Sequence, residues 1–416
     1  MGWEARQGEG GRRVSLVDGT SQKVAVVLPC LDEREAVGLC VEQAWAALRG
    51  AGLQGEVIVV DNGSTDGSIE VAAAAGAGVI DEPHRGYGRA LRTGFEHTGA
   101  DVIVMADADG TYDLSQVPRI ARPVLDGDAD LVLATRLDGS TRKSMPVLHR
   151  YVGTPVITFL TSRACGRNVT SDSQTGYRAF RRDRMLGVGL QSDGMELASE
   201  MLIKAARGGL RIRNVEGGYA ARIGDSKLET WSDGWRHLML ILLLAPDLLL
   251  IGPGLVLAAV GLGALGLAFV QPEGVEIGSA RWQPVFFSGI ALVLGVQALL
   301  GGAILAHASP VAAASTRRFA FLDDPRLPTR ALAIGVGAIV CGLVIDVALF
   351  LAWWSDTSSP PTTGIAFGFA SLAQIMLILG GTVALSGIIG RFVQRNGVSR
   401  ISPSVAADVD KVDLGI

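Results

Sequence analysis

Asp107 and Asp109, in the segment MADADGTYD, close a short apolar run at Asp101–Ala106 (DVIVMA). Side chains alternate along a strand, so both carboxylates leave its end on one face. Two carboxylates this close repel, and one takes up a proton unless a cation neutralises the pair. A hard divalent ion, Mg2+ or Mn2+, bridging to diphosphate oxygens meets that need. Two more polar clusters follow apolar runs in the same way: PCLDE at 29–33 and DNGSTDG at 61–67. Gly86-Tyr87-Gly88 opens a helical stretch whose free amides suit a phosphate or a ribose. Alone that signal is weak, because glycine there also serves a tight turn. No GxGxxG follows the first run and no GxxxxGK[ST] occurs, which excludes the common dinucleotide and P-loop cradles.

These clusters need a scaffold, and the pattern predicts one. Lys23–Leu28, Glu56–Val60, Val79–Ile80, Asp101–Ala106 and Asp130–Ala134 read as short buried strands. Glu35–Leu48, Ser68–Ala75 and Gly86–His97 between them read as helices. Short continuous apolar strands alternating with helices predict a mainly parallel sheet covered on both faces. Ligands of such sheets sit beyond the carboxyl ends of the strands, where all three polar clusters fall.

The second half of the chain differs. Of its 416 residues 49% are hydrophobic and 19% charged, which excludes a disordered chain. A net charge of −4 argues against a nucleic-acid partner. The four cysteines, Cys30, Cys40, Cys165 and Cys341, form no CxxC pair, so neither a disulfide scaffold nor a thiolate zinc site is expected. Residues 1–22 are polar and read as a flexible tail without a cleavable signal peptide. Four apolar segments near Leu248–Val270, Pro284–Ala308, Ala331–Trp354 and Ile365–Ile389 each exceed the roughly 20 residues that cross a bilayer. The loop between the second and third carries Arg317, Arg318, Arg326 and Arg330, and the tail carries Arg391, Arg395, Arg400 and Lys411. The other two loops hold Arg281 alone. This asymmetry predicts a multi-pass plasma-membrane protein with its amino-terminal domain and both termini in the cytoplasm. Trp231–Ala245 suits a helix at the headgroup level, or an extension of the first span. The expected division is a soluble domain at 23–228, an interfacial helix at 229–247, four spans at 248–390 and a tail at 391–416.

Taken together, VVLPCLDE, EVIVVDNGSTDGS, GYGRALRTGF, MADADGTYD and SDSQTGYRAFRR resemble family 2 glycosyltransferases of the dolichyl- and polyprenyl-phosphate hexose synthase type. The resemblance covers about Lys23 to Lys227 and extends to the four spans. It implies a Rossmann-like α/β catalytic domain of the GT-A type followed by an all-α transmembrane domain. The implied activity is hexose transfer from UDP-glucose or GDP-mannose to a polyprenyl phosphate. It further implies that Pro29, Leu31, Glu33 and Asp61 meet the nucleoside, and that Asp107 and Asp109 hold the metal and the diphosphate. Asp172, in the DxxxGYR pattern, matches a carboxylate lining the reaction site. Arg222, Ser226 and Lys227 in ARIGDSKL, with Arg136, resemble the cations that bind the acceptor phosphate near the membrane. One departure is that Thr111, followed by Asp113, stands where many relatives carry a glutamine ligand, which leaves the third metal ligand open.

The residue types suit this chemistry. A lipid phosphate is already an anion, so it needs cations to position it rather than a base. Arg136 and Arg178 are also compatible with ordinary surface salt bridges. A processive polysaccharide synthase is the main rival, but no QxxRW motif occurs. A glycolipid synthase with a hydroxyl acceptor is another. A transporter with a regulatory nucleotide domain would need ionisable residues within its spans. Only Asp346 and His307 lie there, and Asp346 suits a helix–helix hydrogen bond.

Overall fold

The computed structural model describes residues 22–136, 154–220, 222–223, 230–277, 280–308, 324–355 and 364–397. Seven strands form one sheet: β1 (Val24–Cys30), β2 (Gly55–Asp61), β3 (Gly78–Asp81), β4 (Val102–Met105), β5 (Leu131–Thr135), β6 (Arg178–Arg181) and β7 (Ile212–Glu216). Their order is β3-β2-β1-β4-β6-β5-β7. All pairings are parallel except those of β6, which runs antiparallel between β4 and β5. The five expected strands are present. The sequence reading missed β6 and β7, whose arginines and asparagine hide the apolar pattern (RAFR, IRNVE).

Alternation along β1 builds a core on each face of the sheet. Val24, Val26 and Leu28 face α1 (Val37–Gly50) and α4 (Val117–Leu125). Ala25 and Val27 face α3 (Tyr87–His97) and α7 (Leu197–Arg207). The remaining helices of this half are α2 (Ser68–Ala74), α5 (Thr154–Ala164), α6 (Arg182–Gly187) and α8 (Thr230–Leu244). α8 spans most of the segment expected at the headgroup level. It buries His237, Ile241 and Leu244, with Ala245 beyond it, while Trp235 and Leu243 stay exposed. It is separate from the first long apolar helix: Pro246 and a five-residue π-turn at Asp247–Ile251 intervene. Arg207 ties this junction together, donating to the carbonyls of Ala164 and Leu244 and pairing with Asp247.

Four helices follow: α9 (Gly252–Val270), α10 (Pro284–Ala308), α11 (Leu327–Ser355) and α12 (Gly364–Gly397). Each, the first together with the turn at Asp247–Ile251, is long and apolar enough to cross a membrane, the apolar stretches holding 24, 23, 29 and 31 residues. The third starts before Ala331 because Pro328 suits a first helical turn. The fourth runs past Ile389 because Arg391 and Arg395 can extend their heads toward water. Glycines set the packing: a Cβ on Gly335 would lie 2.4 Å from the Ala384 amide, and one on Gly380 2.7 Å from the Gly335 carbonyl oxygen. Asp346 accepts a hydrogen bond from Gln374 at 3.0 Å, linking α11 to α12. A short hairpin, β8 (Val275–Ile277) and β9 (Ala280–Trp282), joins α9 to α10. The amino-terminal tail through residue 21, the arginines at 317 and 318 and the carboxyl-terminal residues after 397 lie outside the described residues.

Candidate active site

The carboxyl ends of the parallel strands and the start of β6 share one edge, and the site is built there. Pro29 and Leu31 are half-buried at the end of β1. The loop after them is bolted to the loop after β2: the Asp32 amide donates to Ser64 Oγ and the Glu33 amide to Ser68 Oγ, each at 2.9 Å. Asp32 returns the contact, its Oδ1 accepting from the Thr65 amide at 2.7 Å. Asp61, buried at the end of β2, accepts from the amides of Gly63 and Ser64 at 3.0 and 3.1 Å and so closes its own turn. Asn62 was missed in the sequence. It accepts from the Gly86 amide at 2.7 Å and donates to the carbonyls of Glu82 and His84, fixing the approach to α3.

Asp107 and Asp109 lie just past β4. Asp107 Oδ1 accepts from the Tyr87 hydroxyl at 2.7 Å. Burial, and then the charge of Asp109, push the Asp107 carboxyl up to about 6. Asp109 Oδ1 accepts from the amide and hydroxyl of Thr111 at 3.0 and 2.6 Å. Asp113 caps the turn at Leu114–Gln116 through the Ser115 amide. Of the two residues left open as a third ligand, Thr111 therefore supports Asp109 and Asp113 serves its own turn.

Arg222 reaches this pair because its segment runs antiparallel along residues 109–112. The Ala220 amide donates to the Thr111 carbonyl at 2.8 Å and the Ile223 amide to the Asp109 carbonyl at 3.0 Å. Arg222 Nη1 then bonds Asp109 Oδ2 at 3.0 Å, and Nη2 bonds Glu33 Oε1. One guanidinium thus bridges two residues expected on the donor side. Its Nε is buried with no partner among the described residues. Ser226 and Lys227 lie outside the described residues.

Neither Arg136 nor Arg178 is a surface cation. Arg136 clamps Asp172 through two parallel bonds, Nε to Oδ2 at 2.8 Å and Nη2 to Oδ1 at 2.9 Å, with the Tyr219 ring 5.4 Å from its guanidinium carbon. Burial alone would raise the Asp172 carboxyl, but the Arg136 charge and its hydrogen bonds outweigh it and hold the group below the usual range. Arg178 is fully buried and donates to the carbonyls of Thr175, Ala198 and Ser173 at 2.7–2.9 Å, which shapes the DxxxGYR loop.

Two glycines allow close contacts around the site. Gly88 packs so closely that a Cβ would lie 2.6 Å from the Ser192 carbonyl oxygen. The Arg89 amide donates to the Asp193 carbonyl at 3.1 Å, so the start of α3 meets protein and Gly86-Tyr87-Gly88 is a packing feature. Gly176 sits beneath Asp107, where a Cβ would stand 3.0 and 3.2 Å from the two carboxylate oxygens. Gly176→Ala is therefore expected to tilt Asp107 and cut turnover about tenfold or more, on the scale of misplacing a positioned group. Steady-state rates against far-ultraviolet dichroism check this, and full turnover in a folded variant would refute it.

Among the described residues no group of three His, Cys, Asp or Glu side chains gathers as a metal cage. The pair Asp107 and Asp109 still fits Mg2+ or Mn2+. Mg2+ is usually bound by one or two carboxylates together with waters and substrate phosphates.

The glycosyl transferase family 2 profile matches residues 25–185, from β1 to α6. A low-salt glycan biosynthesis hexosyltransferase of Haloferax volcanii is 36% identical over 357 residues, 85% of each chain. A dolichyl-phosphate hexose transferase of the same organism is 31% identical over 53% of this chain and 92% of its own. Among solved structures, glucosyl-3-phosphoglycerate synthase of Mycobacterium tuberculosis superposes with a TM-score of 0.44 at 24% identity, over 53% of this chain and 79% of that one.

Proposed function

The chain belongs to glycosyl transferase family 2, and from that membership we propose that it transfers a hexose from UDP-glucose or GDP-mannose to a polyprenyl phosphate, with inversion. The observation that carries this reading is the gathering of Glu33, Asp107, Asp109 and Arg222 at the strand edge of a chain that continues into four apolar helices. The relative named as a dolichyl-phosphate hexose transferase supports the same acceptor class.

Each residue has a task in this reading. Pro29, Leu31, Glu33 and the turn closed by Asp61 form the nucleoside side. Asp107 and Asp109 would hold Mg2+ or Mn2+, which when bound neutralises diphosphate charge and stabilises the leaving nucleotide. A lipid phosphate oxygen bonds the anomeric carbon as the bond from that carbon to the diphosphate oxygen breaks. The acceptor is already ionised, so no side chain has to take a proton. Arg222 bonds the donor-side carboxylates Glu33 and Asp109, and its unpartnered Nε suits an incoming phosphate oxygen. Arg136, aimed by Asp172, and Ser226 and Lys227 complete the acceptor side.

Membranes carrying the full chain, given a panel of labelled UDP- and GDP-hexoses, should label undecaprenyl or dolichyl phosphate and not diacylglycerol. Label in diacylglycerol alone would replace this reading with glycolipid synthesis. The arginine asymmetry further supports a plasma-membrane protein whose catalytic domain and both termini face the cytoplasm. A reporter fused after Ile416 should then be active only inside, and activity outside would overturn the topology.

A further inference from the structure

α8 inserts a histidine into the catalytic domain. His237 is 4% exposed, and its Nδ1 lies 3.0 Å from Ser199 Oγ on α7. Ser199 is itself fully buried and accepts from Gln174 Nε2 at 3.1 Å. The same amide nitrogen donates to Ser173 Oγ at 3.0 Å, and Ser173 shares a hydrogen with Thr158 of α5, also at 3.0 Å. The Gln174 backbone amide donates to Asp172 Oδ1 at 3.2 Å. Asp172 holds Arg136 through both oxygens. A continuous run of hydrogen bonds thus leads from α8 to the Arg136 guanidinium.

Gln174 spends both amide hydrogens on Ser173 and Ser199. The one hydroxyl hydrogen of Ser199 then has two neighbours, His237 Nδ1 at 3.0 Å and Thr161 Oγ1 at the longer 3.4 Å, and the nearer one takes it. With that hydrogen donated to Nδ1, this nitrogen is an acceptor and the ring neutral. Burial, and then the charge of Arg178, push this imidazole down to about 4, in keeping with that role. The opposite face of α8 carries Trp235 and Leu243, 61% and 51% exposed, and the first apolar helix starts just beyond. A helix with a wet-to-apolar outer face that enters a span is suited to lie on a lipid surface.

We propose that His237 is a positioning residue that, through Ser199 and Gln174, sets the Asp172–Arg136 pair by the seat of α8, so that acceptor geometry is assembled only when α8 rests on the bilayer. This rests on Arg136 lying on the acceptor side. His237 touches no substrate. Its imidazole supplies the nearer acceptor to the Ser199 hydroxyl, which would otherwise turn to Thr161 at 3.4 Å, and the change is transmitted because the links are buried or, at Gln174, half-buried.

The test uses the full chain in phosphatidylglycerol–phosphatidylethanolamine vesicles, comparing wild type with His237→Leu and His237→Asn. Leu keeps the volume without an acceptor, whereas the Asn amide oxygen can stand near the Nδ1 position. The expected result for His237→Leu is an acceptor KM raised about tenfold, the scale of one lost buried hydrogen bond. Nucleotide-sugar affinity and thermal midpoint should stay close to wild type, and His237→Asn should recover most of the loss. An unchanged acceptor KM in His237→Leu overturns the proposal. So does a parallel fall in donor affinity, acceptor use and thermal midpoint, which marks a packing role. The acceptor reading fails separately, when the wild type labels only a hydroxyl lipid. The same KM comparison is then run on that lipid, and a His237→Leu value equal to wild type still overturns the proposal.

Discussion

Asp109→Ala abolishes transfer while the chain still folds and inserts: that is the largest effect expected of any single substitution here. Asp109 joins three functions in one carboxylate. It would pair with Asp107 as the proposed hard-oxygen donor set, it orders residues 109–111 through Thr111, and it draws in Arg222. Alanine leaves one carboxylate for the cation and frees Arg222 to rest on Glu33 alone. The side chain is 9% exposed and lies outside both cores, so secondary structure and membrane insertion should persist. Titration of the variant with Mn2+ in the presence of UDP or GDP should show no metal uptake, whereas the wild type takes it up. Excess EDTA should silence the wild type. Normal turnover in the variant, or full wild-type activity in EDTA, would remove Asp109 and the metal from the mechanism together. Arg222→Ala attacks the same contact from its other side and should be milder. Hydrogen bonds to charged groups contribute about 1.5–3 kcal/mol, so a loss of about tenfold to a hundredfold is expected.

What was legible in the sequence was local. DVIVMA followed by two aspartates is both a strand and its end, and the residues that make the strand also place the carboxylates. The four apolar helices were legible for the same reason, since length and composition alone decide whether a segment can cross a bilayer. What was not legible depends on partners far apart in the chain. Arg222 and Glu33 are 189 residues apart, and nothing in ARIGDSKL says that its backbone will pair with residues 109–112. Arg136 and Asp172 meet because β6 turns back between β4 and β5, and a strand reading RAFR gives no apolar signal to announce that reversal. Arg178 belongs to that hidden strand. Its charge suggests a surface, yet three backbone carbonyls hold it in the interior. His237 is similar: among the leucines of α8 it reads as a headgroup residue, and only the fold brings Ser199 to it.

The Asp172–Arg136 pair yields the second large effect, and its size decides what Asp172 does. Both carboxylate oxygens face Arg136, and neither side chain is more than 10% exposed. Breaking such a buried pair by removing one partner costs about 3–5 kcal/mol, because the remaining charge is stranded in a poorly solvated place. Asp172→Ala should therefore unfold at markedly lower denaturant than wild type. Arg136→Ala with Asp172→Ala together should recover part of that loss, since neither charge is then left alone. Acid should act in the same direction. The Asp172 carboxyl is held below its ordinary value of about 3.9. Its stabilisation is complete above the unfolded-state value and is lost as pH falls through the lower, folded one, a pH dependence the double variant should lack. Transfer separates the roles. If Asp172 acts only by aiming Arg136, then Arg136→Ala and the double variant should turn over at the same reduced rate. A double variant slower than Arg136→Ala by tenfold or more would mean that Asp172 itself meets the sugar or the acceptor, and that its grip on Arg136 is released when substrate arrives.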